Sequence, residues 1–297
     1  MSLLHQLKSP VLLRGNDKKA FRDPTAFWKD GKIHLFFTLV ENDACDLPWL
    51  TVAHTATSDF VHWSPIQRLT PYDRSLNFSS PGNIVKDGEE YVLCLQTYCR
   101  ENGEKYGNAR SRIYAMRSAD LESWSQPELL SVKGDLVPEE KMGRMIDPFL
   151  LRANEEWWCF FKQSGISYSR SPDLRHWTFC GRTGGGENPC IIPWEQGYLM
   201  FHSPQNGIGV KFSEDLVNWR DVQPSIYLNQ PNWPWATGRL TAAYVLDARS
   251  ISGLECYIMF FHGSGPEDEE TCFDKNASIG IAWSKDLQTW EWPEERN

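Results

Sequence analysis

Apolar and polar residues alternate along this chain in short runs that return in a fixed order. The first run extends from Asp23 to Trp28, and a Lys-Asp-Gly-Lys turn joins it to a denser apolar run over 33–39. Alternation with period two is typical of β-strands, and Asp-Gly between two such runs predicts a hairpin. The same order returns in four later units, whose opening runs lie at 81–85, 147–151, 188–192 and 240–246.

A second pattern, Asp-(Leu/Phe)-x-x-Trp, follows a third strand-like run in every unit and contains five of the 14 tryptophans. Its copies begin at Asp59, Asp120, Asp173, Asp215 and Asp286. An aspartate can bind nearby backbone N–H groups and open a tight turn, which a fourth, outer strand would follow. The tryptophan is expected to pack between neighbouring units. Steps of 42 to 71 residues suit propeller blades better than solenoid repeats.

Five units with four strands each predict an all-β fold, a five-bladed β-propeller with four antiparallel strands per blade. A length of 297 residues would also suit two domains, but the five units occupy it. We therefore predict one domain over 1–297, without a C-terminal β-sandwich. The predicted blades span about 20–70, 78–131, 144–182, 185–225 and 238–293.

Charge and composition narrow the function classes. Lysine and arginine number 30 against 39 acidic residues, a net charge of -9, which argues against nucleic acid as a partner. No apolar run approaches the roughly 20 residues of a membrane span. The first eight residues lack the apolar core of a signal peptide, and the eight cysteines form no CxxC pair. We predict reduced thiols and a cytoplasmic location, leave the oligomeric state open, and interpret the acidic run 267–270 as a solvated loop.

Three of the opening runs begin with a carboxylate: Asp23, Asp147 and Glu187. Each lies 14 residues before an aromatic residue of the second strand, namely Phe37, Phe161 and Phe201. Because side chains alternate along a strand, equal offsets predict that the three acids occupy equivalent faces at the central channel. The acids could instead form strand-opening turns, because a residue before proline prefers an extended backbone.

Three acids at one channel suggest acid–base chemistry or a hard metal ion. Hydrolysis of a glycosidic bond needs two carboxyl groups. A third carboxylate nearby raises the pKa of the acid by like-charge repulsion and keeps it protonated near neutral pH.

The strand openings Asp23-Pro24, Ile146-Asp147-Pro148 and Glu187-Asn188-Pro189 resemble the three acidic motifs of glycoside hydrolase family 43. That family shares a five-bladed propeller with families 32 and 68, and the likeness extends from about Arg22 to Trp290. The third motif departs from the commoner Glu-Gly-Pro. The resemblance implies that Asp23 is the general base, that Asp147 tunes the pKa of the acid, and that Glu187 is the general acid.

The implied activity is exo-acting, inverting hydrolysis of arabinofuranosyl or xylosyl linkages in plant-type oligosaccharides, with no cofactor required. Two alternatives stay open. The chain could be a retaining fructosidase-like hydrolase with Asp23 as nucleophile, or a sugar-binding propeller without catalysis. The carboxylate separation and the anomer of the first product distinguish the two hydrolytic mechanisms.

Further side chains are predicted to contact an oligosaccharide substrate, because aromatic rings stack on sugars and arginines bind their hydroxyl groups. These are Arg144, Arg239, Trp233, Trp235, Phe78, His54 and His202. Some members of family 43 hold a calcium ion in the channel near a blade V histidine. The resemblance therefore implies His262 as a metal ligand of a structural calcium ion.

Overall fold

The computed structural model describes residues 3–265 and 273–294, so the acidic run 267–270 lies outside the described residues. Five antiparallel sheets arranged around a central channel confirm the predicted five-bladed β-propeller. In the described part of the chain, helix is limited to Glu139–Met142 and two 3-10 turns, Leu3–Gln6 and Gln230–Asn232. None of these helices is long and apolar enough to cross a membrane. The seven cysteines of the described ranges are free.

Each blade runs from an innermost strand at the channel to an outermost strand at the rim. In that order, blade I contains β2 (Lys19–Lys29), β3 (Lys32–Asn42), β4 (Pro48–Thr57) and β5 (Gln67–Arg68). Blade II contains β6 (Phe78–Ser79) and β7 (Ile84–Asp87), then β8 (Glu90–Thr97), β9 (Ile113–Ser118) and β10 (Glu128–Leu129). Blade III contains β11 (Ile146–Ala153), β12 (Glu156–Lys162), β13 (Ile166–Ser171) and β14 (Thr178–Arg182). Blade IV contains β15 (Glu187–Trp194), β16 (Gly197–Ser203), β17 (Ile208–Ser213) and β18 (Arg220–Ile226). Blade V contains β19 (Arg239–Asp247), β20 (Tyr257–Ser264), β21 (Ser278–Ser284) and β1 (Val11–Leu13).

Blades V and II differ from the sequence prediction. The outer strand of blade V is β1, from the start of the chain, whereas we expected it within 238–293. In blade II the innermost strand is interrupted at Ser80-Pro81-Gly82, and both of its pieces pair with β8. A Cβ atom at Gly82 would lie 1.7 Å from the carbonyl oxygen of Pro148. Glycine therefore allows blades II and III to approach at the channel.

The Asp-(Leu/Phe)-x-x-Trp pattern forms the same tight turn in all five blades. In blade IV, Asp215 Oδ1 accepts hydrogen bonds from the backbone N–H groups of Val217 (2.9 Å) and Asn218 (2.8 Å). Leu216 between them is fully buried and has a left-handed φ of 66°, which is uncommon for a leucine. The aspartate thus holds a strained backbone that turns an apolar side chain into the core.

Three of the five tryptophans of this pattern pack against the neighbouring blade, as predicted. Each of three indole rings meets, edge to face, a phenylalanine on the second strand of the preceding blade; the pairs are Trp124–Phe36, Trp219–Phe160 and Trp290–Phe201. The three phenylalanines are fully buried. Edge-to-face contacts of this kind add about 1 kcal/mol each to the free energy of burial. Apolar clusters therefore span the interfaces between neighbouring blades.

We expect Asp215→Ala to lower the free energy of unfolding by about 1 kcal/mol, because two backbone N–H groups lose their acceptor while the turn keeps its strained leucine. Chemical denaturation of the variant measures this loss. Asp135→Ala is the matched control, because Asp135 is exposed and outside any such turn. Equal stability of the two variants would contradict a role for the aspartate in holding the turn.

Candidate active site

The innermost strand of every blade is distorted at the mouth of the channel. Pairing of the first two strands shifts there by a β-bulge in blades I, III, IV and V, and the strand is interrupted in blade II. One residue per blade adopts a left-handed φ between 45° and 53° at this point. We call this set the bulge ring: Asp23, Ser80, Asp147, Asn188 and Ala242. Such bulges occur near active sites, where they redirect side chains.

The bulge ring corrects the predicted register of the third acid. Asp23 and Asp147 are equivalent, but the equivalent residue in blade IV is Asn188, and Glu187 lies one position earlier. The three acids therefore do not share one register. Glu187 instead occupies the position that Arg22 holds in blade I, and it still faces the same cavity.

The equal offset of 14 residues arose because the aromatic reference residues were not equivalent. Phe201 pairs with Cys190 beyond the bulge, and its counterparts in blades I and III are Phe36 and Phe160. Phe37 and Phe161, the residues of the sequence prediction, point to the opposite face. Phenylalanines on both faces of these second strands are fully buried, because both faces pack against neighbouring blades. An apolar pattern on both faces does not reveal a slip of one residue.

Five equivalent residues of the second strands, the bracing positions, lie beside the bulge ring: Thr38, Gln96, Lys162, Ser203 and His262. At four of them the side chain accepts a hydrogen bond from the backbone N–H of the bulge residue in the next blade. These bonds join Ser80 to Thr38 (2.7 Å), Asp147 to Gln96 (2.5 Å), Ala242 to Ser203 (2.8 Å) and Asp23 to His262 (3.0 Å). Polar side chains thus fix the backbone of both bulge-ring aspartates.

Blade III is the exception among the bracing positions. An ammonium group donates hydrogen bonds but cannot accept one, so Lys162 cannot brace Asn188 in this way. Its Nζ instead contacts the carboxylate of Glu187. Sequence analysis missed Lys162, although it directly follows a phenylalanine, as Thr38 and His262 do.

A cavity of about 410 Å³ opens over the bulge ring and is the candidate active site. All three predicted carboxylates line it: Asp23, Asp147 and Glu187. Four cationic side chains also face it: Arg22, Arg144, Lys162 and Arg239. Tyr98, Tyr106 and Phe273 supply aromatic walls that the sequence did not indicate, because they come from irregular segments without a periodic pattern.

Asp23 is held from three sides. Thr38 Oγ1 donates a hydrogen bond to its Oδ2 at 2.9 Å, and Arg22 Nε lies 3.4 Å from the same oxygen. Burial raises the pKa of Asp23 above its ordinary value, and the positive charge of Arg22 only partly offsets this. The backbone N–H of Asp23 binds His262 Nδ1, so that nitrogen acts as an acceptor.

The two other carboxyl groups have opposite charge environments. Burial and the neighbouring charge of Glu187 raise the pKa of Asp147 to about 7, and Ser80 Oγ donates to it at 3.3 Å. Burial also raises the pKa of Glu187, but Lys162 and Arg239 outweigh this effect and hold it below its ordinary value. Arg239 Nη2 donates to Glu187 at 2.7 Å. In the free pocket, these environments favour a proton on Asp147 and a negative charge on Glu187.

Two predicted substrate contacts, Trp233 and Trp235, belong to the core. Their rings stack on one another at 5.2 Å and on Phe261 at about 6 Å, and both are buried. Neither lines the cavity. The loop that carries them folds inwards, because its indole rings pack on Phe261 of β20. The prediction that these two rings stack on substrate was therefore wrong.

The structure places three further predicted substrate contacts away from the cavity. His54 is buried against His34, with a ring N···N distance of 3.0 Å, and Phe78 packs edge to face on Tyr114. His202 is enclosed between Gly186 and Gly209, where a Cβ atom would lie within 2.6 Å of its ring. Burial lowers the pKa of both His54 and His202 to about 4. Each was predicted from residue type and position along the chain, but none of the three side chains lines the cavity.

The described residues supply no ligand cluster for the predicted calcium site. They contain no group of three or more histidine, cysteine, aspartate or glutamate side chains that could hold a metal ion. His262 uses Nδ1 to brace Asp23, and burial holds its pKa well below the ordinary value. Its metal-binding role stays a prediction.

We expect Trp233→Phe to leave KM for any substrate unchanged and to lower the free energy of unfolding by about 1–2 kcal/mol, because a smaller ring leaves a void under the loop. Steady-state kinetics and thermal unfolding measure the two effects. A tenfold rise in KM without loss of stability would show instead that Trp233 contacts the substrate.

No protein-family profile matches the chain, and no curated protein sequence matches it. Solved structures do. A glycosyl hydrolase from Bacteroides ovatus superposes with a TM-score of 0.66 at 12% identity, covering 95% of this chain and 89% of that one. For a thermostable family-43 glycoside hydrolase the TM-score is 0.65 at 12% identity, with 94% and 95% covered. An exo-1,5-alpha-L-arabinanase from a bovine ruminal metagenomic library gives 0.61 at 13% identity, with 89% and 93% covered. At these identities the likeness shows the fold alone.

Proposed function

We propose that this protein is a glycoside hydrolase that removes arabinofuranosyl or xylosyl units from the ends of plant-type oligosaccharides with inversion. The observation that carries the proposal is the meeting of Asp23, Asp147 and Glu187, from three blades, in one cavity. Their environments separate their protonation states, as acid–base hydrolysis requires. No cofactor is needed for this chemistry, and the cytoplasmic location stays a prediction.

The proposed roles combine those that the family resemblance implies with the charges around each carboxyl group. Asp23 accepts a proton from water as the water oxygen bonds to the anomeric carbon. The bond to the leaving oxygen breaks on the opposite face, and Glu187 gives that oxygen a proton. Asp147 holds this proton while the pocket is empty, because its pKa is the raised one, and passes it to Glu187 as the leaving oxygen develops charge.

The names of the structural neighbours support this class of activity. They include a beta-xylosidase (TM-score 0.61, 8% identity) besides the arabinanase and the family-43 hydrolase. The fold is shared by proteins of different function, so the proposal rests on the carboxyl groups of this chain.

A panel of aryl glycosides tests the proposal. We expect release of the aryl group from α-L-arabinofuranoside or β-D-xyloside substrates, and proton NMR of the first product should show inversion. Retention would support the fructosidase-like alternative with Asp23 as nucleophile, as would cleavage of fructosides. A folded protein that binds oligosaccharides and cleaves none of the panel would favour the sugar-binding alternative.

A further inference from the structure

The cavity has an excess of positive charge in a protein whose net charge is -9. Four cationic side chains line it against three carboxyl groups, and burial favours the neutral form of one of those, Asp147. A neutral pentosyl group needs no such excess. Charged side chains in a concave site concentrate ligands of the opposite charge. The excess of positive charge therefore indicates which class of substrate the cavity binds. This inference rests on the proposed function.

Among the four cations of the cavity, Arg144 is the one without an ionic partner in the described ranges. Arg22, Lys162 and Arg239 each lie within 4 Å of a carboxylate oxygen, whereas no carboxylate of those ranges lies that close to Arg144. Its guanidinium lies over the ring of Tyr98, 5.6 Å from the centroid, and its nearest hydrogen-bond contact there is the Tyr98 hydroxyl at 3.5 Å. Its Nε is buried and has no hydrogen-bond partner among residues 3–265 and 273–294.

A buried, unpaired donor on a charged group is costly unless a ligand completes it. The ring of Tyr98 holds the guanidinium at the cavity wall, and a planar guanidinium can donate two parallel hydrogen bonds to an oxyanion. Arg144 thus has the features of a receptor whose ligand comes from outside the chain.

The negative charge of Glu187 is also matched by more than one positive charge. One carboxylate is shared by Lys162 and Arg239, and Lys162 occupies the bracing position at which the four other blades use an uncharged acceptor. The fold therefore does not require a cation there. Because Lys162 takes the place of a structural hydrogen-bond acceptor, we infer that its positive charge serves the groups and the ligand in the cavity.

We propose that the pocket binds an oxyanion together with the sugar, and that Arg144 is its receptor. Two sources share this chemistry. One is the carboxylate of a uronic acid unit in the substrate. The other is inorganic phosphate, whose oxygen would bond to the anomeric carbon in place of water. The bond to the leaving oxygen would then break and that oxygen take the carboxyl proton, which yields a sugar 1-phosphate and the free alcohol.

Isothermal titration of the purified protein distinguishes the sources. The probes are D-glucuronate against D-glucose, D-galacturonate against D-galactose, and inorganic phosphate alone. We expect at least one anion to bind about 10- to 100-fold more tightly than its neutral counterpart or than chloride, as a charge-assisted bidentate contact would give. Arg144→Met should abolish the preference, and Arg175→Met, which removes an exposed arginine of blade III, should keep it.

Arg144→Lys provides a second variant, because it keeps the charge and loses the planar fork. We expect it to bind the anion with intermediate affinity, and raised ionic strength should weaken anion binding to the unaltered protein. Product analysis with and without phosphate then assigns the source, because only phosphorolysis makes a sugar 1-phosphate.

Two outcomes would overturn the inference. In one, neutral pentosides are cleaved and no anion binds, which would leave the proposed function intact. In the other, the preference for anions survives Arg144→Met in a folded variant. Anion binding with no glycoside cleaved would uphold the receptor while contradicting the proposed function.

Discussion

Glu187→Gln is expected to lower kcat/KM by about 10²- to 10⁴-fold on glycosides with a sugar or alkoxide leaving group, because these need a proton from the acid. The same variant should lose little activity on a 2,4-dinitrophenyl glycoside, whose leaving group needs no proton. Steady-state kinetics on the two substrates measures the difference. Glu195→Gln, an exposed change in the same blade, is the matched control.

Asp23→Asn should lose activity equally on both substrates, because the base is needed whichever group leaves. The result that would contradict our assignment is a leaving-group effect at Asp147 rather than Glu187. In that case Asp147, whose pKa is raised to about 7, would be the direct proton donor.

Lys162→Gln is expected to shift the pH dependence of activity while sparing the fold. Lys162 lowers the pKa of Glu187 and of Asp147, so its removal raises both. The proton needed for catalysis is then lost only at a higher pH. The alkaline limb of the pH profile therefore shifts to higher pH. We expect kcat/KM at the optimum to fall about tenfold, the equivalent of one charge-assisted hydrogen bond that positions Glu187.

Glutamine is chosen because Gln96 already braces Asp147 from the equivalent position of blade II. A glutamine at 162 can accept the N–H of Asn188 in the same way, so the melting temperature should not fall. Lys162→Arg is the control, since it retains the charge and should retain the alkaline limb. An alkaline limb that Lys162→Gln leaves in place would show that Lys162 does not control the proton.

Two repeated patterns made the fold predictable from sequence. The turn pattern is local, because Asp215 binds N–H groups two and three residues along the chain. Hairpins with Asp-Gly turns are local too. The order of the acids in blades I, III and IV followed from counting these units.

The prediction was limited wherever a position depends on another blade. Glu187 was assigned the register of Asn188, because the bulge that separates them leaves no mark on an apolar pattern. Lys162 became a site residue only through its contact with Glu187 of the next blade, and Arg144, which the sequence already indicated, gained its proposed role from its contact with Tyr98. Trp233 has the composition of a sugar platform, and only its contact with Phe261 shows that it faces inwards.

The closure of the propeller between blades V and I has a consequence for the synthesis of the protein. β1, near the start of the chain, completes the last blade, and Asp23 is braced by His262, 239 residues later. A nascent chain that has folded its first four blades contains all three carboxyl groups but lacks the residue that fixes one of them. The proposed site is therefore complete only after synthesis has reached blade V, which supplies both His262 and the Arg239 that contacts Glu187.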